Sequence, residues 1–161
     1  MVIEQRLEAL GLVLPEAPKL PPNVRLPFSF VRVHGDRAFI SGHSAQNADG
    51  SLAGPFGKVG AEVSQDEAYQ SARLTALSML GSLCRELGDL DRVTSWLRVS
   101  GMVNAAPGFT ELPAVINGFS DLILELYGPV GGQHARSAVG MAELPWNIPV
   151  EVEAEAAIQG G

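Results

Sequence analysis

Hydrophobic and polar residues alternate along this chain with two different periods. Apolar residues recur at helical spacing in segments 64–88 and 115–127, which is typical of helices that bury one face. Shorter segments alternate with period two or are rich in β-branched and aromatic residues, which favours strands. The pattern predicts the order β-β-α-β-α-β-β, preceded by a short helix from Ile3 to Leu10 that ends near Gly11.

Five segments have the composition of strands. They are Phe28 to Val33, Ala38 to Ser41, Arg92 to Val103, Ala135 to Leu144 and Val150 to Ile158. The residues 34–37, His-Gly-Asp-Arg, have the composition of a hairpin turn, so we expect the first two strands to pair. The last strand alternates strictly and places Glu151, Glu153 and Glu155 on one face, because strand side chains alternate with period two.

Both long helices carry recognisable signals. Ser64 and Glu67 have the spacing of a capping box, and Gly88 supplies a stop for the helix that follows. The second helix contains Asn117-Gly118, and a glycine inside a helix costs about 1 kcal/mol relative to alanine. Such a glycine suits the close approach of another element. The predicted fold is α+β, a single mixed sheet with two helices on one face and its other face free to contact further subunits.

Length and composition indicate one domain. The chain has 161 residues, of which 46% are hydrophobic and 18% charged, enough for one well-formed core. We assign residues 1–22 to a short helix with a proline-rich lead-in and residues 23–161 to the α+β domain. The net charge of -7, with no basic cluster, argues against nucleic acid as a partner.

Cysteine usage and the amino-terminal sequence suggest a compartment. The chain contains a single cysteine, Cys84, which excludes an internal disulfide and a cysteine-rich metal site. The first 22 residues carry acidic side chains throughout, unlike a secretory signal or a membrane span. We therefore expect a cytoplasmic protein with no membrane partner.

Arg136 is the first candidate for chemistry, because it is the only lysine or arginine after Arg98. The sequence places it and the glutamates of the last strand on what we expect to be neighbouring strands. A guanidinium matches a carboxylate with two parallel hydrogen bonds, which suits recognition of a small acid. The alternative is an ion pair between Arg136 and a glutamate across the sheet, and spacing alone favours that alternative.

Several motifs together resemble one known family. Ala135-Arg136-Ser137, Leu144-Pro145 and the stretch Val150 to Ala154 resemble the carboxy-terminal signature of the YjgF/RidA family. Further family positions are resembled by Ser41-Gly42, the segment Gln70-Ser71-Ala72-Arg73 and Asn117. The resemblance covers about residues 24 to 158, and its carboxy-terminal motif is the specific part.

The resemblance implies a chorismate-mutase-like fold and a homotrimer with ligand sites between subunits. It implies hydrolysis of reactive enamines and imines to 2-keto acids and ammonia, without a cofactor or a metal. Arg136 would bind the substrate carboxylate, and Glu151, fifteen positions later, would position water as the catalytic residue. Phe28, Ser41, His43 and Asn117 would be further substrate-binding residues by the same resemblance.

The chain departs from the family pattern at three of these places. Phe28 stands where the family has a tyrosine, His43 where it has a glutamine, and Ala138 where it has a cysteine. No motif for serine, cysteine or zinc hydrolysis occurs. Three hypotheses follow: an imine or enamine deaminase, a non-catalytic trimer that binds or senses a small carboxylate, and an interaction protein. The first is the leading one.

Overall fold

The computed structural model describes residues 2–160. Met1 and Gly161, which the predicted ranges 1–22 and 23–161 include, lie outside the described residues. The helices are α1 (Val2–Ala9), α2 (Gln65–Leu87) and α3 (Leu112–Gly131), with short 3-10 turns at Leu90–Arg92 and Pro145–Asn147. The strands are β1 (Val31–His34), β2 (Arg37–His43), β3 (Val93–Asn104), β4 (Ala135–Met141) and β5 (Val150–Ile158).

The strands form one mixed sheet in the order β1-β2-β5-β3-β4. Strand β4 runs parallel to β3, and the other neighbouring pairs are antiparallel. The predicted α+β class with a single mixed sheet is confirmed. The expectation that the Arg136 strand and the glutamate strand are neighbours is wrong, because β3 lies between β4 and β5.

Helices α2 and α3 pack on one face of the sheet, as the sequence predicts, and bury its apolar side chains. The largest fully buried side chains include Trp96, Phe119, Met79 and Leu80. Gly118 lies where α3 meets α2, and a β-carbon there would overlap the Tyr69 carbonyl. The glycine that weakens the helix by propensity therefore allows the two helices to approach closely.

The predicted element boundaries differ at several ends. Strand β1 begins at Val31 rather than at Phe28, which lies in a bend and packs edge-on against Phe30. Strand β2 continues to His43, so the Ser41-Gly42-His43 motif lies inside the strand. The capping box is present, with Ser64 Oγ accepting from the Glu67 amide at 3.1 Å, and Gly88 ends α2 with a φ of 80°.

The amino-terminal segment is part of the same body. Ile3 and Leu7 of α1 are buried in the common core. The proline-rich lead-in (residues 12–22) runs along the loop that follows β2, where the Glu16 amide donates to Ala48 O at 2.9 Å and the Lys19 amide to Gly50 O at 3.0 Å. Across residues 2–160, no helix combines the length and apolar character needed to cross a bilayer.

Candidate functional site

The side chains of Arg136 and Glu151 lie on opposite faces of the sheet. Arg136 pairs with Val99, a fully buried residue under the helices, whereas Glu151 pairs with Met102 on the face that the helices leave uncovered, called here the open face. Paired strand residues share a face, so the two side chains cannot face each other. Strands β4 and β5 lie on either side of β3, and the β3 partners of the two residues are three positions apart. The Cα atoms of Arg136 and Glu151 are therefore separated by about 14 Å. The predicted apposition of this cation and this carboxylate within one chain is wrong.

Glu151 lies in a pocket of about 330 Å³, called here the glutamate pocket. A bulge in β2 between Ile40 and His43 brings Gly42 over the Glu151 carboxylate, where a β-carbon would overlap it. The walls include Phe28, Phe30, His43, Trp146 and residues 18–21 of the lead-in. Two predicted site residues, Phe28 and His43, therefore join Glu151 in one pocket.

The environment of Glu151 favours its protonated form. The side chain is about half buried. Loss of solvent raises the pKa of the Glu151 carboxyl, and the negative charge of Glu153 on the same strand raises it further. A carboxyl with a raised pKa can accept and return a proton nearer to neutral pH than an exposed glutamate.

His43 is buried and its ring nitrogens are both occupied. Its Nδ1 lies 2.6 Å from Ser41 O and its Nε2 lies 2.8 Å from Ser82 Oγ, so the assigned tautomer donates from Nδ1 and accepts at Nε2. Burial lowers the pKa of His43 to about 4, and nearby Arg85 lowers it as well, against the Ser41 hydrogen bond. The ring is neutral at pH 7 and packs 5.5 Å from Phe30, so it forms part of the pocket wall.

Arg136 belongs to a second and more polar pocket of about 200 Å³, the arginine pocket. Its Nη1 donates to Asn117 Oδ1 at 2.9 Å and to Ser120 Oγ at 3.1 Å, both on α3. Ser120 Oγ also lies 2.8 Å from His134 Nε2, and His134 Nδ1 lies 2.7 Å from Gly132 O. Asn117 thus lies beside Arg136 as a residue that orients the guanidinium.

Ser41 is separated from both pockets. Its Oγ donates to Ser29 O at 2.7 Å, and its side chain borders a depression on the open face together with Arg32, Arg98 and Glu153. The bulge thus leaves Ser41 on the open face but outside the glutamate pocket. The six predicted site residues therefore fall into three places on the chain.

The sequence gives Trp146 no role beyond a connecting loop, yet it forms one wall of the glutamate pocket. Trp146 and Asn147 both have left-handed backbones, with φ values of 53° and 58°. Asn104, which is buried, donates from Nδ2 to Asn147 Oδ1 and to Ile148 O, both at 3.2 Å, and Gly57 N donates to Asn147 O at 2.8 Å. These bonds hold an unfavourable backbone in place, which is frequent at ligand sites.

One cluster of carboxylates could resemble a metal site but has a structural role. Among residues 2–160, Glu4, Asp89 and Asp91 place carboxylate oxygens within 4.8 Å of one another. Asp91 accepts from the backbone amides of Val2 and Ile3 at 2.7 and 2.9 Å, and Glu4 accepts from the Leu90 amide at 3.1 Å. The cluster therefore anchors the start of α1 to the turn before β3.

Comparison with known proteins gives consistent matches over nearly the whole chain. The sequence model of the family described as "YjgF/chorismate mutase-like, putative endoribonuclease" matches residues 4–153. The chain is 38% identical to Protein TCP17 of Trypanosoma cruzi over 152 residues, which are 94% of this chain and 91% of that protein.

Two solved structures share the fold closely. The protein Atu1372 of Agrobacterium tumefaciens, of unknown function, is 35% identical with a TM-score of 0.85, over 98% of this chain and 92% of that one. A "putative endoribonuclease" of Shewanella oneidensis is 29% identical with a TM-score of 0.87, over 97% of this chain and 99% of that one. With the arginine, glycine and glutamate positions described above, these matches show that the chain belongs to the YjgF/chorismate mutase-like family.

Proposed function

We propose that this protein hydrolyses reactive 2-imino acids, or their enamine tautomers, to 2-keto acids and ammonia at a site completed between two copies of a homotrimer. One observation carries the proposal. Arg136 and Glu151, the two groups that this chemistry needs, lie on opposite faces and about 14 Å apart in one chain. A ligand of a few carbons can therefore contact both only when they come from different chains.

The two half-sites have complementary chemistry. Arg136, oriented by Asn117 and Ser120, presents a guanidinium for the substrate carboxylate. Glu151, with its raised pKa, accepts a proton from water as the water oxygen bonds to the imine carbon. The proton then passes to nitrogen, which gives a carbinolamine. Glu151 next takes the remaining proton of the former water from the hydroxyl and delivers it to the amino group, so the carbon–nitrogen bond breaks as the carbonyl forms, and ammonia and the keto acid leave. The step requires orientation and an activated water, and no redox partner.

The open face of the sheet supports assembly. Outside the glutamate pocket it carries Phe39, Arg32, Arg98 and Glu153, and no helix among residues 2–160 packs on this part. A three-fold ring buries the same surface on every subunit. In such a ring the glutamate pocket of each chain would face the arginine pocket of its neighbour. Light scattering should give the mass of three chains, and a mass of one chain would contradict the shared site.

Subunit mixing tests the shared site directly. We would purify Arg136→Lys and Glu151→Gln separately, dissociate them, reassociate an equal mixture and measure ammonia release from imino acids generated in situ. Each variant alone should be nearly inactive. Random reassociation should restore about a quarter of the wild-type activity, because one interface in four then combines an intact arginine with an intact glutamate.

The control is a preparation in which both substitutions are present in the same chain, mixed with the wild-type protein. This control should also give about a quarter of the wild-type activity per site, because both intact residues meet at one interface in four. Its activity therefore measures how completely the chains reassociate. A mixture of the single variants that stays inactive while this control is active would overturn the shared site.

A second function, binding of a small carboxylate without turnover, is favoured by one set of observations. Phe28 and Ala138 lack the phenol and the thiol that the resemblance leads us to expect. Saturable 2-keto acid binding that depends on Arg136, with ammonia release no faster than in buffer, would replace the enzyme by a binding or regulatory trimer.

A further inference from the structure

We propose that the glutamate pocket receives the side chain of the substrate, and that the protein selects acids with a branched or aromatic side chain over acids of three or four carbons. The inference rests on the proposed function, because it names the substrate class of that site. It is drawn from the shape and lining of the pocket.

The pocket has one polar end and mainly apolar walls, which Lys19, Ser44 and Gln46 also line. Glu151 and the backbone at Gly42 form the polar end. The remaining walls are built mainly from carbon, and they include Leu20, Pro21, Leu26, Phe28, Phe30, Leu52 and Trp146. A volume of about 330 Å³ is within the range that accommodates small organic ligands. Acids of three or four carbons would leave most of these apolar walls in contact with water.

The lead-in forms one wall of the pocket and is fixed to the body of the protein. Besides the backbone bonds of Glu16 and Lys19, Lys19 Nζ lies 3.4 Å from Asp49 Oδ2. The Ala17 carbonyl packs directly against Gly50, whose φ is 88°, and a β-carbon on Gly50 would overlap that carbonyl. This close fit keeps Leu20 and Pro21 at the pocket without a ligand, so the apolar wall is formed in advance.

The opposite wall is held in an unfavourable conformation. Trp146 exposes 56% of its surface, and its left-handed backbone costs about 1 to 2 kcal/mol relative to the right-handed one. A tryptophan that gains little from burial in the protein has no packing reason to occupy such a position. Contact with an apolar group of a ligand supplies that reason.

A series of 2-keto acids tests the inference without requiring turnover. Pyruvate, 2-oxobutanoate, 4-methyl-2-oxopentanoate and phenylpyruvate share the carboxylate and keto group and differ in side chain. Titration calorimetry on the assembled wild-type protein should show about fourfold tighter binding for each added carbon. The gain from pyruvate to 4-methyl-2-oxopentanoate, which has three more carbons, should be about sixtyfold.

Two variants locate the effect in the pocket. Trp146→Ala and Phe28→Ala should each reduce the ratio of the affinities for 4-methyl-2-oxopentanoate and pyruvate at least several-fold. Phe56→Ala is the matched control, because Phe56 is 45% exposed against 54% for Phe28 and does not line the pocket. It should leave the ratio unchanged. A wild-type series with equal affinities, or a ratio that no pocket variant alters, would overturn the inference.

The same measurements separate this inference from the proposed function. A steep binding series without ammonia release would leave the side-chain pocket in place and remove the deaminase. Rapid hydrolysis of 2-aminoacrylate with a flat series would leave the deaminase in place and remove the selectivity.

Discussion

The glutamate pocket and the arginine pocket are backed by the same local arrangement. In each pocket a histidine makes a hydrogen bond from Nδ1 to the carbonyl of the residue two positions earlier. Its Nε2 contacts the hydroxyl of a helix serine, which is Ser82 for His43 and Ser120 for His134. In the arginine pocket the serine also accepts from Arg136, for which we propose the ligand-binding role. In the glutamate pocket Ser82 likewise accepts from an arginine, Arg85 Nη2, at 3.2 Å, but the histidine and the serine are both buried and His43 forms part of the pocket wall.

The difference shows how burial changes the use of one arrangement. In the half-exposed arginine pocket, the polar groups orient a charge that remains available to a ligand. In the glutamate pocket, burial keeps His43 neutral and the apolar walls raise the pKa of Glu151. We infer that the arginine pocket supplies attraction to an anion, whereas the glutamate pocket supplies proton transfer and apolar contact.

The largest expected effect comes from removing the carboxylate of the glutamate pocket. Glu151→Gln should reduce imine hydrolysis by roughly 10² to 10⁴, because the amide cannot accept the proton of water. Steady-state ammonia release on the assembled protein measures this. Glu155→Gln, on the same face of β5 but outside the glutamate pocket, is the matched control and should be close to silent. Equal losses from both would mean that the glutamate row is structural.

Next in size is a pH effect from His43. Its pKa is about 4 when folded and about 6.5 when unfolded, so the unfolded chain binds more protons between these values and stability falls as pH decreases through that window. The free energy of unfolding should fall by about 2 kcal/mol from pH 7 to pH 5 through His43 alone.

Urea titrations of the wild type and of His43→Gln at both pH values isolate this contribution, since the variant should lack it. The raised pKa of Glu151 acts in the opposite direction, because its folded form gains stability as pH decreases, so Glu151→Gln should steepen the loss. An unchanged pH dependence in His43→Gln would show that this histidine is not held neutral.

Arg136→Lys should weaken 2-keto acid binding about ten-fold to a hundred-fold, because lysine keeps the charge and loses the planar pair of donors. Calorimetry measures it. Arg73→Lys is the matched control, since Arg73 contacts Glu125 at 3.5 Å between the helices and lies outside the arginine pocket. If the folded Arg136→Lys variant bound 2-keto acids as tightly as the wild type, the role of Arg136 would be structural, through its contacts with α3.

The smallest expected effect is on stability and concerns Trp146→Gly. Glycine relieves the left-handed backbone but loses more conformational entropy on folding, so the free energy of unfolding should change by less than about 1 kcal/mol. Urea titration measures it. Trp96→Ala, which removes a core side chain only 1% exposed, should cost about 3 to 5 kcal/mol in the same experiment. A large loss in Trp146→Gly would show that Trp146 stabilises the fold.

Much of the fold follows from the sequence because its signals are local. The strict alternation of β5, the capping box at Ser64 and the stop at Gly88 each act within a few residues, and the structure contains all three. The order of strands is not local. Strand β3 lies between β4 and β5 because it pairs with residues more than 35 positions away in the chain. The periodicity of a segment carries no information about such distant partners.

The candidate site was only partly accessible from the sequence for the same reason. The charge pattern indicates Arg136, and the resemblance adds Asn117 and Glu151, but their division between two pockets depends on which face each strand presents. The bulge between Ile40 and His43 places Gly42 at the glutamate pocket and Ser41 at a separate depression. The left-handed turn at Trp146 places an aromatic wall that its residue type does not predict. A tryptophan in a connecting loop was the one available signal.

The contrasting environments of the two tryptophans give the protein an optical reporter of its own. Trp96 is in the core, in edge-on contact with Phe119 and Tyr127, whereas Trp146 borders the glutamate pocket. Their emission should therefore divide into a blue component that is insensitive to quenchers and a red component that added iodide suppresses. Occupancy of the pocket can be followed by the red component alone, at protein concentrations too low for calorimetry and without an attached dye.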